Sequence, residues 1–105
     1  MKKIGQIKSV LAKNKKELRE KYKVRELGIF GSYARGEQKK RSDVDILVKF
    51  NKNASLFDLV GAADFLENKL KIKVDIVSEG GIRPELKDNT LKEVIMVWKE
   101  MLIYS

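Results

Sequence analysis

Cysteine and histidine are both absent from the 105 residues, proline occurs once, and no apolar run approaches the ~20 residues that span a bilayer. Each absence removes a class of chemistry. Without cysteine there is no disulfide framework, zinc finger, iron–sulfur cluster or thiol nucleophile. Without histidine there is no Ser-His-Asp triad, no imidazole base and no ordinary transition-metal site. What remains is carboxylates, lysine, arginine and hydroxyls, and a metal suited to that set is a hard cation held by oxygen. Met1-Lys2-Lys3 leads into a helix-like pattern and not into the apolar core of a signal peptide, so a cytoplasmic protein without a membrane segment is expected. A chain of this length is expected to form one domain, residues 1–105, around a single core.

Acidic charge is in the minority: 15 Asp and Glu face 23 Lys and Arg, a net charge of +8. The excess is local. Residues 1–23 carry nine basic side chains against Glu17 and Glu20, so +7 sits there and +1 in everything after. Most such runs are solvated helix faces, and a nucleic-acid patch or a docking face for an acidic protein partner is the sharper reading. Aromatics that would stack nucleobases are missing from residues 1–21, which argues against nucleic acid as a direct substrate.

Hydrophobic spacing predicts a small mixed α/β (α+β) domain. Ile4, Ile7, Val10, Leu11, Leu18 and Tyr22 fall on one stripe of a helix over 4–22. Val24–Phe30 and Val44–Phe50 read as strands. Ser55 followed by Asp58 is a capping-box signature, opening a helix whose buried face is Leu56, Leu59, Val60, Ala63, Leu66 and Leu70. Ile72–Val77 is a third strand, ended by Gly80-Gly81. Residues 85–98 read as a helix, with the β-rich VIMVW at its end as an alternative edge strand. The helix over 55–71 is long enough to cross between parallel neighbours, which places the second and third strands side by side.

That pairing brings carboxylates together. Asp43 and Asp45, two apart, share one face of a strand, and Asp75 interrupts an otherwise apolar strand at the position beside them. Three carboxylates on one face repel one another and lose hydration unless a cation neutralises them. Magnesium suits this, because it takes oxygen ligands and bridges carboxylates to substrate phosphates. Taken alone, a pair of aspartates at i and i+2 more often marks an exposed strand end.

The turn before the pair changes the balance. Gly31 at a strand end permits close backbone approach, and Ser32 with the N–H groups of a short helix opening at Ala34-Arg35 suits a phosphate. Arg35, Lys39, Lys40 and Arg41 add positive charge. Neither the P-loop nor the dinucleotide GxGxxG pattern is present.

The run GSYARGEQKKRSDVDILV, that is Gly-Ser, ten residues, then Asp-x-Asp, resembles the signature of the minimal nucleotidyltransferases of the DNA polymerase β superfamily. The resemblance spans 27–77, and IRPELKDNTLKEVIMVW resembles the family's tail. It implies a polymerase β-like nucleotidyltransferase fold and transfer of a nucleoside monophosphate to a hydroxyl. It also implies two magnesium ions held by Asp43, Asp45 and Asp75, with Asp75 a ligand of the second ion or the base for the acceptor. Gly31 and Ser32 would hold the β- and γ-phosphates of ATP, with Arg35 a further phosphate contact. Small members are typically paired with a HEPN-domain toxin, so the resemblance implies an antitoxin that adenylylates a tyrosine of that partner. A non-catalytic binding antitoxin, or transfer to a small molecule, is the alternative. Tyr33 suits either base stacking or the core, Arg83 is within chain reach of the phosphates, and the apolar tail VIMVWKEMLIYS suits a homo-oligomer or partner surface.

Overall fold

The computed structural model describes residues 3–79 and 92–99. Four strands form one mixed sheet: β1 (Val24–Phe30), β2 (Val44–Phe50), β3 (Val74–Ser78) and β4 (Ile95–Trp98), in the order β3-β2-β1-β4. β1 runs antiparallel to both β2 and β4, whereas β2 and β3 are parallel. The crossover between the parallel pair is helix α4 (Leu56–Leu70). Its capping box forms as expected, with the Ser55 N–H donating to Asp58 Oδ2 at 2.9 Å. The mixed sheet and the α/β class match the sequence reading.

Period-two alternation then separates the two faces of the sheet. Leu27 and Ile29 of β1, Val44, Ile46 and Val48 of β2, and Val74 of β3 join Ile7, Leu11, Leu18, Ala62, Leu66 and Leu70 from the helices in one core. The intervening residues, among them Asp45, Leu47 and Asp75, belong to the opposite face. Burial of that many branched side chains stabilises each by ~1.5–3 kcal/mol relative to exposure, which fixes the register on which the acidic face depends.

Three expectations need correction. The single helix over 4–22 is two helices, α1 (Ile4–Lys13) and α2 (Lys15–Tyr22), broken at Asn14. No apolar residue lies between Ala12 and Leu18 to hold a continuous stripe, and Asn14 Nδ2 donates to the Val10 carbonyl at 2.7 Å, a local bond that competes with regular helix. In α4 the buried residues are Ala62, Leu66 and Leu70, while Leu56 and Val60 are exposed. At about 100° per residue, Val60 sits ~120° around the helix from Leu66 and so faces away from the sheet. The third strand begins at Val74, since Lys71 ends α4 in the left-handed conformation (φ 59°).

The tail resolves towards its alternative. Ile95–Trp98 is an edge strand on β1, and Trp98 is buried with its indole N–H donating to the Arg25 carbonyl at 3.1 Å. That part of the apolar tail therefore belongs to the core. Gly80-Gly81, Arg83, residues 85–91 and Met101 lie outside the described residues.

Candidate active site

Two register relationships bring the expected site together. Asp45 is the cross-strand partner of Phe30, the last residue of β1, and of Asp75 on the parallel β3. Asp43 immediately precedes β2, where the Val44 N–H donates to the Lys73 carbonyl at 2.9 Å. Asp45 is half-buried, and Asp43 and Asp75 are exposed. Burial pushes the Asp45 carboxyl above its usual range, and the like charges of Asp75 and Asp43 push it further. The acidic set anticipated from spacing is thus electrostatically linked, with Asp45 at its centre.

The Gly-Ser turn abuts the same carboxylate. β1 passes directly into helix α3 (Gly31–Arg35), whose first residue has φ +73°, and α3 closes at Gly36, also left-handed, where the Glu37 N–H donates to the Ser32 carbonyl at 2.8 Å. A Cβ on Gly31 would lie 2.9 Å from Asp45 Cγ and would collide with Oδ2. Both the conformation and the space therefore require glycine. Ser32 is half-buried beside it. Tyr33 turns inward and is 2% exposed, so of its two expected roles it takes the one in the core.

Arg35 departs from a simple phosphate contact. Its Nε donates to Glu37 Oε1 at 2.8 Å and its Nη1 to both carboxylate oxygens of Glu93, at 3.2 and 3.1 Å. These bonds hold the guanidinium above its ordinary pKa, and its charge lowers Asp45 where Glu93 raises it. Glu93 is the site residue that sequence reasoning missed. It reaches Arg35 only because β4 pairs with β1 (Ile29 opposite Ile95), and nothing in the spacing of 85–98 signals that pairing.

The donor set can be tested against a metal. Among the described residues no group of three acidic side chains is close enough to hold an ion by itself. Magnesium does not require one, because it is usually held by one or two carboxylates with water and substrate phosphates completing six oxygens. Asp45, with the like charges of Asp43 ahead of it and Asp75 opposite it, fits that description in kind.

Residues 11–97 match the family model for the nucleotidyltransferase domain. The chain belongs to that family. This nucleotidyltransferase is 44% identical over 94 residues (90% of this chain, 95% of the other) to the protein adenylyltransferase MntA of Thermococcus cleftensis. It is 50% identical over 82 residues (78% and 95%) to a Methanocaldococcus jannaschii relative for which protein adenylyltransferase activity is inferred. Among solved structures it resembles a minimal nucleotidyltransferase, with TM-score 0.71 and 36% identity over 87% of this chain and 88% of the other. Two more distant structures share the fold. One is a toxin–antitoxin complex with AMP-PNP (TM-score 0.68, 23% identity, 84% and 73% covered). The other is the Shewanella oneidensis MNT antitoxin in complex with a tri-AMPylated HEPN toxin (TM-score 0.62, 19% identity, 88% and 72% covered). The α/β nucleotidyltransferase fold and the transferase class expected from sequence are therefore established for this chain.

Proposed function

We propose that this nucleotidyltransferase transfers AMP from ATP, with magnesium, to a tyrosine hydroxyl of a HEPN-domain toxin and thereby acts as its antitoxin. The observation that carries the transferase site is the pairing of Asp45 with Asp75 in register, with Gly31 packed against Asp45. The acceptor class is supported by the 44%-identical relative named as a protein adenylyltransferase and by the AMP-bearing HEPN toxin seen with an antitoxin of the same fold.

In this reading Asp43 and Asp45 would hold magnesium, and Gly31 and Ser32 would receive the β- and γ-phosphates. Magnesium, when bound, offsets negative charge on the reacting phosphoryl group. The acceptor oxygen attacks the α-phosphorus, the new O–P bond forms as the α–β bridging bond breaks, and pyrophosphate leaves. The hydroxyl proton passes to Asp75, which stands opposite Asp45 at the exposed edge of the face. Such a reaction asks for positioning and charge stabilisation more than covalent chemistry, which accounts for a site without histidine or cysteine.

Transfer is tested with ATP labelled either at the α- or at the γ-phosphate, incubated with the protein and its HEPN partner. Label from the α-position alone should enter the partner, and EDTA should prevent it. Label from the γ-position would mean phosphorylation and would contradict the reading. Magnesium should also raise the melting temperature of the wild type and leave the Asp45→Asn variant unmoved, a readout independent of turnover.

A further inference from the structure

Among the described residues, one cluster of positive charge stands apart from the transferase site. A groove of about 630 Å³ opens where the α1–α2 break meets the start of β1 and is lined by Lys13, Lys15, Lys16, Arg19 and Arg25, with Glu20 the one carboxylate. It lies at the opposite end of β1 from Phe30 and hence roughly 20 Å from Asp45 along the strand. Three other cations are matched within the fold: Lys23 with Asp58, Lys49 with Glu26, and Arg35 with Glu37 and Glu93. Lys13, Lys16 and Arg19 make no ion pair among the described residues, and Lys15 lies 6.0 Å over the Trp98 ring. The break at Asn14 falls between Lys13 and Lys15, and basic residues of both helices line the one hollow.

Like charges gathered in a groove raise its potential, and an entering anion relieves them. Two classes of anion fit charge alone. Single-stranded nucleic acid is disfavoured, since no aromatic lines the groove: Trp98 is buried beneath Lys15, and Tyr22 packs against Phe65 at 5.5 Å. The arginine fork at Arg19 suits planar carboxylates. We propose that this groove docks an acidic surface of the protein partner whose hydroxyl the transferase site modifies, holding that partner by contacts remote from the reacting atoms. The inference rests on the proposed protein acceptor, and it assigns the localised charge a part in binding the partner and none in the chemistry.

The test compares wild type with Lys13→Glu/Lys16→Glu/Arg19→Glu, and with the milder Lys13→Gln/Lys16→Gln/Arg19→Gln, by calorimetric titration against the HEPN-domain partner and against ATP. Charge reversal should weaken partner binding by at least about tenfold, the glutamine variant by less, and ATP binding should not change. In steady-state transfer KM for the partner should rise with kcat retained, and added salt should reproduce the weakening in the wild type. Unchanged partner affinity in the reversed variant overturns the docking assignment and leaves the transferase reading intact. Partner binding that is lost with the groove charges while the wild type moves no AMP upholds docking and removes the proposed chemistry. A single-stranded RNA that binds the wild type more tightly than the partner does, and is released by the same substitutions, overturns the protein assignment in favour of nucleic acid.

Discussion

Asp45 of β2 and Asp75 of β3 stand opposite each other in a parallel register, and the backbone of Gly31 closes on Asp45 from the end of β1. The relationship sets a cost. Burial and the charges of Asp75 and Asp43 all disfavour ionised Asp45.

The first prediction follows from the sign of that shift. A carboxyl whose folded pKa is raised destabilises the native state once pH exceeds its unfolded value, and the penalty is complete above the folded value. Asp45→Asn should therefore raise the melting temperature at pH 7 in EDTA, and the gain should vanish as pH falls below the ordinary carboxylate range. The same variant should lose transfer activity by ~10²–10³-fold, the order seen when a group stabilising developing charge is removed. Thermal melts across pH, paired with activity, check both directions.

Gly31→Ala makes the opposite case. A left-handed φ costs a non-glycine residue about 1–2 kcal/mol, and the added Cβ must also displace Asp45. We expect a loss of roughly 2 kcal/mol or more, or a melting temperature lower by about 8 °C or more for a domain of this size. Chemical denaturation measures it, and an unperturbed midpoint would mean that the turn relaxes freely.

Glu93→Gln separates pairing from stability. The Arg35–Glu93 ion pair is partly exposed, with Arg35 46% and Glu93 32% accessible, so the melting temperature should hardly move. If Arg35 serves ATP phosphates, Glu93 competes with them, and the substitution should lower KM for ATP by a few-fold while Arg35→Gln raises it. Equal KM values in the two variants would remove Arg35 from the phosphate site.

How much of this was legible in the sequence divides along physical lines. β1 and β2 were readable to the residue, because short apolar runs bounded by turn residues admit few alternatives, and the Ser55–Asp58 cap announced α4. The placement of Asp75 opposite Asp45 was legible too, since a crossover helix forces parallel neighbours. The break at Asn14 was not, because apolar spacing of seven residues suits one helix or two. Glu93 was hidden for a different reason: its role depends on β4 joining β1, a pairing of residues far apart in the chain. Position 31 shows the limit from the other side. Its glycine was expected for approach to a ligand, whereas the close neighbour in the fold is the Asp45 carboxylate itself.

The central claim is that paired aspartates on the open face transfer AMP to a partner protein, and intact-mass spectrometry of the HEPN-domain partner addresses it most directly. After incubation with this protein, ATP and magnesium, the partner should gain the mass of one or more AMP groups on tyrosine. With Asp43→Ala/Asp45→Ala it should gain none, and its toxicity should return. An unmodified partner with the wild type, or neutralisation that survives the double substitution, would contradict the account and favour an antitoxin that acts by binding alone.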